Sequence, residues 1–120
     1  MIMQLDHLVI LVRSLERSLP WYGAMLGAMG FDKTRDHVWW NGTVAIDLKQ
    51  ADHGTPDYQR RAPGLNHLGF TAPDRAAFDG VRAAMSDAGF DVPQAQQFGK
   101  ELATFFKDPE GMRIEVTLYS

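Results

Sequence analysis

Residues 4–13, QLDHLVILVR, carry aliphatic side chains on both sides of an alternation. Leu8, Ile10 and Val12 fall on one face of an extended chain, and His7, Val9 and Leu11 fall on the other. This pattern predicts a buried strand. The period then lengthens. Over 14–30 the apolar residues Leu15, Leu19, Tyr22, Leu26 and Met29 recur at steps of four and three, which is one stripe of a helix. A proline is best tolerated in a first helical turn, so Pro20 predicts a regular helix starting near Ser18 as N-cap. Gly30 reads as its C-terminal stop. Alternation returns in His37–Trp40 and Thr43–Leu48, on either side of Asn41-Gly42. Asn-Gly supplies the two positive-φ positions of a type I′ turn, which predicts a tight hairpin. In the return strand Val44, Ile46 and Leu48 share one face, and Ala45, Asp47 and Lys49 share the other. Trp39 and Trp40 point to opposite faces, one suited to the core or a subunit contact and one able to line a cavity.

The polar stretch 51–63, with two prolines and a glycine, reads as a mobile connection. After it the pattern repeats. Leu5-Asp6-His7-Leu8 returns as Leu65-Asn66-His67-Leu68, an offset of 60 in a chain of 120 residues. A second helix starts at Asp74 as N-cap, with Phe78, Val81, Met85 and Ala88 as its stripe. Gly89-Phe90-Asp91 stops it as Gly30-Phe31-Asp32 stops the first, an offset of 59. A repeat spanning strand, helix and helix exit implies an internal duplication. It divides the chain into module one (1–50), a linker (51–63) and module two (64–120). The chain closes with strand residues Ala103–Phe106, the turn Lys107-Asp108-Pro109-Glu110-Gly111, and a last strand. Pro109 suits the second position of a type I turn. In the last strand Ile114, Val116 and Leu118 share one face, and Arg113, Glu115 and Thr117 share the other.

Composition removes several function classes. A net charge of −3 without a basic stripe makes nucleic acid a poor partner. The absence of cysteine excludes thiol nucleophiles and thiolate metal sites, and fits a reducing, cytoplasmic setting. No basic region precedes the first apolar run, so no signal peptide is expected, and no apolar stretch approaches the ~20 residues that span a membrane. Gly23, Gly27 and Gly30 have the wrong spacing for a dinucleotide fingerprint, and there is no G-x-S-x-G.

The chemistry lies on the mixed faces. Each of four strands carries one potential metal ligand near its middle: His7, Asp47, His67 and Glu115. A polar side chain in an apolar strand is unfavourable unless it finds a partner, and four at matched positions can share one ion. Two imidazoles and two carboxylates suit Zn, Ni, Mn, Fe or Co in the divalent state. If only three bind, they leave a two-histidine, one-carboxylate set with open positions. Asp47 is one methylene shorter than Glu, and its plainer role is a salt bridge with Arg113 or near Lys49. His37, beside the tryptophans, and His53, in the linker, read as ordinary surface or loop residues. Arg13, Lys49 and Arg113 are each able to hold an anionic group.

These residues resemble the vicinal oxygen chelate superfamily, also called the glyoxalase / bleomycin resistance / dioxygenase family. The matching motifs are Leu5-Asp6-His7-Leu8, the Ser18–Gly27 helix with Trp21-Tyr22, Gly64-Leu65-Asn66-His67-Leu68-Gly69-Phe70, and Phe106-Lys107-Asp108-Pro109-Glu110-Gly111 leading to Ile114-Glu115. The resemblance implies an α+β fold of two tandem βαβββ modules whose sheets curve around a cavity. It also implies that His7, Asp47, His67 and Glu115 occupy the metal-ligand positions, although the isomerase-like members commonly carry Glu or Gln where Asp47 stands. Leu11 stands where glyoxalase I enzymes carry a glutathione-holding Arg, and Val9 where fosfomycin-modifying enzymes carry Thr. Both departures point away from those substrates. The implied activity is lyase- or isomerase-type proton transfer beside a metal-chelated carbonyl of a small-molecule substrate, with Glu115 or Asp47 as base. The alternatives within the resemblance are an extradiol-type ring-cleaving dioxygenase and a metal-free small-molecule or antibiotic-binding protein. A homodimer is the implied assembly.

Overall fold

The computed structural model describes residues 1–119, in two compact units, Met1–Pro56 and Asp57–Ser120. The architecture is α+β, and each unit is one βαβββ module. In module one, β1 (His7–Val12) is followed by α1 (Leu15–Ala28), β2 (Asp32–Arg35), β3 (Val38–Trp40) and β4 (Ala45–Gln50). The strand order is β1-β4-β3-β2, with β1 parallel to β4 and the remaining pairs antiparallel. Module two repeats this with β5 (His67–Thr71), α2 (Arg75–Asp87), β6 (Gln96–Phe98), β7 (Glu101–Lys107) and β8 (Arg113–Leu118), in the order β5-β8-β7-β6. The duplication legible in the sequence is therefore a duplication of topology.

Alternation sorts each sheet into a covered and an open face. In module one, Val12, Trp39, Ile46 and Leu48 are buried on the face that carries α1. In module two, Phe106, Ile114 and Val116 are buried on the face that carries α2, whose own buried residues are Phe78, Val81 and Met85. The opposite faces hold His7, Val9, Leu11, Asp47 and Trp40 in module one, and His67, Glu115, Thr117 and Phe105 in module two. Trp39 is 3% exposed and Trp40 39%, as expected of neighbours on opposite faces.

The first helix departs from the sequence reading in two ways. Its N-cap is Ser14, whose hydroxyl accepts from the Arg17 N–H at 3.2 Å, so Pro20 lies inside the helix and not in its first turn. Proline removes the donor to the Glu16 carbonyl, but both residues are exposed, where water replaces the lost bond. The buried stripe is Ser18, Trp21, Tyr22, Met25 and Leu26, and Leu15, Leu19 and Met29 lie at its margin. The two helix exits agree with expectation and with each other. Gly30 and Gly89 have φ of 92° and 84°, and the next residues donate back five positions, Phe31 to Leu26 at 2.9 Å and Phe90 to Met85 at 3.0 Å. Asp74 caps α2 as expected, accepting from Ala77 N–H at 2.8 Å.

The hairpin of module one forms, but its turn is not type I′. Gly42 has φ of 95° while Asn41 stays at negative φ. The Asn41 side-chain oxygen instead accepts from Thr43 N–H at 2.9 Å and Val44 N–H at 2.8 Å. Asparagine here organises a four-residue loop through its amide, because the register pairs Trp40 with Ala45. Strands β2 and β6 have no counterpart in the sequence reading. All of their residues are exposed and they sit at sheet edges, so they lack the apolar alternation that announces a strand.

The connection expected to be mobile is bonded at both ends. The Arg13 guanidinium donates to the carbonyls of Asp52, Thr55 and Pro56 and to the Thr55 hydroxyl. In module two the Tyr58 hydroxyl donates to Leu65 O at 2.7 Å and Asn66 O at 2.9 Å. Burial, and then the Asp108 carboxylate, raise the Tyr58 pKa above 10.0, so the phenol remains a donor at neutral pH. Among the described residues no helix is long and apolar enough to cross a membrane.

Candidate functional site

The register of each module sets a histidine and a carboxylate on the same open face. In module two His67 pairs with Arg113, and Gly69 pairs with Glu115, so His67 and Glu115 are diagonal neighbours on adjacent strands. The His67 Nε2 lies 3.6 Å from Glu115 Oε1. In module one the same diagonal relates His7 and Asp47, through the pairs His7–Ala45 and Val9–Asp47. The repeated histidines noticed in the sequence thus hold a matched place in two sheets, and the strand register matches the two carboxylates as well.

The residue before each histidine orients its ring. His7 Nδ1 lies 2.7 Å from Asp6 Oδ2, and His67 Nδ1 lies 2.7 Å from Asn66 Oδ1. The Asn66 amide is fixed by its own nitrogen, which donates to the Arg60 carbonyl at 3.0 Å. Its oxygen therefore faces the ring and can only accept. A carboxylate oxygen such as Asp6 Oδ2 also only accepts at neutral pH. A neutral ring bonded in this way carries its proton on Nδ1 and presents the Nε2 lone pair. This gives the repeated Asp/Asn-His pair a physical role that the sequence pattern left unassigned. Long-range ¹H–¹⁵N spectra of the metal-free protein should show His67 as the Nδ1–H tautomer. In Asn66→Ala the population should shift toward the Nε2–H form; an unchanged spectrum would mean that the amide does not set the tautomer.

Glu115 is held as well. The Thr117 hydroxyl donates to its Oε2 at 2.6 Å, which leaves Oε1 facing His67. Nε2 and this oxygen stand 3.6 Å apart, and a cation bound to both would satisfy a neutral ring and the carboxylate together. The donor set of module two, one imidazole and one carboxylate with its second oxygen occupied, fits a divalent metal of the transition series.

Module one is arranged differently around its carboxylate. Asp47 Oδ1 lies 2.8 Å from His37 Nδ1, with the two side chains 20% and 39% exposed. His37, read from the sequence as an ordinary surface residue, is thus the partner of Asp47. The available signal was the hairpin register, which sets His37–Val38 across from Asp47–Leu48. Among the described residues no group of three or more His, Asp and Glu side chains is placed to hold one metal ion. What the fold supplies is one histidine–carboxylate diagonal in each module.

The turn before β8 positions Glu115. Asp108 is 5% exposed, and its Oδ1 accepts from Glu110 N–H at 2.9 Å and Met112 N–H at 2.8 Å. Gly111 donates to the Asp108 carbonyl at 2.9 Å and has φ of 87°, a conformation open to glycine at little cost. The Asp-Pro-Glu-Gly sequence is therefore a turn that sets the register of β7 on β8, and with it the place of Glu115.

A family model described as the Glyoxalase/Bleomycin resistance protein/Dioxygenase superfamily matches residues 4–116. No curated protein matches this chain. Among solved structures, a glyoxylase/bleomycin resistance protein/dioxygenase domain from Frankia sp. EAN1pec is 22% identical with a TM-score of 0.80, over 100% of this chain and 94% of that one. A protein of Bacillus halodurans is 24% identical with a TM-score of 0.78, over 96% and 95% of the two chains. A glyoxalase family protein from Enterococcus faecalis is 22% identical with a TM-score of 0.73, over 95% and 96%. At these identities the likeness is one of fold.

Proposed function

Because the chain belongs to the Glyoxalase/Bleomycin resistance protein/Dioxygenase superfamily, we propose that it is a divalent-metal-dependent enzyme that moves a proton next to the carbonyl of a small substrate. The observation that carries this reading is the His67–Glu115 diagonal, with Nδ1 tied to Asn66, Oε2 tied to Thr117, and Nε2 facing Oε1. His67, Glu115 and His7 are the ligands. Bound there, the metal supplies a Lewis acid to a substrate carbonyl oxygen. Glu115 takes the proton from the neighbouring carbon, and the Thr117 hydroxyl holds its carboxylate in place while it does so. Asp47, bonded to His37, is the second carboxylate able to receive or return a proton.

The reading takes the partner of this chain to be a second copy, the assembly that membership of this superfamily suggests. In such a homodimer, module one of one copy and module two of the other complete one ligand set. Mixing the single variants His7→Ala and His67→Ala tests this directly. Each alone should hold no metal. A mixed dimer keeps one intact set and should recover metal to about half the wild-type stoichiometry. No recovery on mixing would exclude the shared site. The enzymatic reading itself is tested by exchange of substrate C–H protons with deuterated solvent, dependent on metal and lost in Glu115→Gln.

A further inference from the structure

Arg13, Lys49 and Arg113 are candidates for holding an anionic group, and their surroundings separate them. The guanidinium of Arg13 is engaged by the chain carbonyls of 52–56. Lys49 lies on the open face of module one, paired with Leu11, and is exposed. Arg113 is half-buried on the open face of module two, directly opposite His67 on one side and Lys107 on the other. Its guanidinium carbon lies 4.7 Å from the centroid of the Phe105 ring. No carboxylate of the described residues forms an ion pair with it.

Phe105 stands opposite Glu115 in the register, and its ring meets that of Phe98 edge to face at 6.2 Å and 75°. Phe98 is 52% exposed on an edge strand, where it covers no core. One open face therefore places side by side the exposed Phe98, the half-buried Phe105, a guanidinium over the Phe105 ring that forms no ion pair with a described carboxylate, and the His67–Glu115 diagonal. A guanidinium held over a ring keeps N–H groups that can match a carboxylate with two parallel bonds. Lys107 adds a second positive charge beside it.

We propose that the open face of module two binds aromatic carboxylates, with Arg113 taking the carboxylate and Phe98 and Phe105 the ring. This rests on the reading of His67 and Glu115 as the reacting end and names the substrate class for it: a small anion with a flat apolar body. An uncharged aromatic fills the Phe98–Phe105 shelf but leaves Arg113 without a partner. A small anion without a ring reaches Arg113 but leaves Phe98 in water.

The test uses the full chain stripped of metal by chelation, so that it stands apart from the metal reading. Phenylacetate and its uncharged isostere phenylacetamide are titrated separately and followed by NMR shifts of the module-two backbone. Phenylacetate should bind about tenfold more tightly than phenylacetamide, the scale of a charge-assisted hydrogen-bonded pair. Arg113→Gln should remove that difference, and Phe98→Ala should weaken both ligands while the preference remains. Arg113→Lys keeps the charge without the planar fork and should retain only part of the preference. Equal affinities in the wild type, or a preference unchanged in Arg113→Gln, would overturn the proposal, as would shifts confined to module one. Because Phe98 is an exposed edge residue, Phe98→Ala decides the matter even if the Arg113 variants fail to fold. Loss of metal binding in the wild type would sink the enzymatic reading and leave this result standing.

Discussion

His67→Ala is expected to abolish stoichiometric metal binding while the fold persists. Removing a group that only orients a ligand typically costs about 10–100-fold in metal affinity, so removing the ligand should cost more than about a hundredfold. The ring is 41% exposed and lies on the open face, so its loss leaves no cavity in the core. Elemental analysis and titration of the metal-free protein with Zn²⁺, Ni²⁺, Mn²⁺ and Fe²⁺ would measure the change, and thermal unfolding of the metal-free form would confirm an intact fold. Glu115→Gln should behave in the same direction, with the added loss of proton exchange, because an amide presents a neutral oxygen and is a far weaker base. A wild type that takes up none of these ions at micromolar concentration would overturn the metal-dependent reading. In that case a ligand-binding protein, as the sequence alternatives include, would be the better description, and its small-molecule affinity should survive His67→Ala.

Phe106→Ala is expected to produce the largest loss of stability. Phe106 is 0% exposed, on the covered face of the β7–β8 sheet, in register with Ile114. Truncating a buried phenylalanine to alanine typically costs about 3–5 kcal/mol, from lost transfer free energy and the cavity left behind. Domains are stable by about 5–15 kcal/mol, so this one change should remove a large share of the total. Trp40→Ala provides the contrast. That ring is larger, but it is 39% exposed on the open face, and its removal should cost far less than the Phe106 truncation. Urea unfolding of the two variants beside wild type checks the pair. A smaller loss for Phe106→Ala than for Trp40→Ala would mean that the face assignments in the two modules are reversed.

Legibility followed hydrophobic contrast. The strands that begin at His7 and His67, both helices and the closing strand were readable because an apolar face alternates with a polar one at a period of two or four-and-three. The edge strands Asp32–Arg35 and Gln96–Phe98 were not, since water reaches all of their residues and no contrast exists to read. Pro20 misled the placement of α1 because a proline inside a helix is tolerated where its missing bond faces solvent. His37 was overlooked for a related reason. Its chemistry depends on Asp47, ten residues away, and the contact exists only through the register of the hairpin.

The division between the two levels is sharpest at the site. The sequence by itself determined that the chain is a duplicated unit, that His7 and His67 stand at equivalent positions, and that Asp47 and Glu115 each lie on the mixed face of a later strand. Period and spacing are local properties, and a twofold repeat makes them unmistakable. Only the tertiary structure decided which groups those side chains meet. It tied each histidine to the residue before it, gave Asp47 to His37 and Glu115 to Thr117, drew Arg13 onto the connection between modules, and left Arg113 on the Phe105 ring. A hydrogen bond depends on distance and direction to within a few tenths of an ångström, and those are set by strand pairing, not by position along the chain.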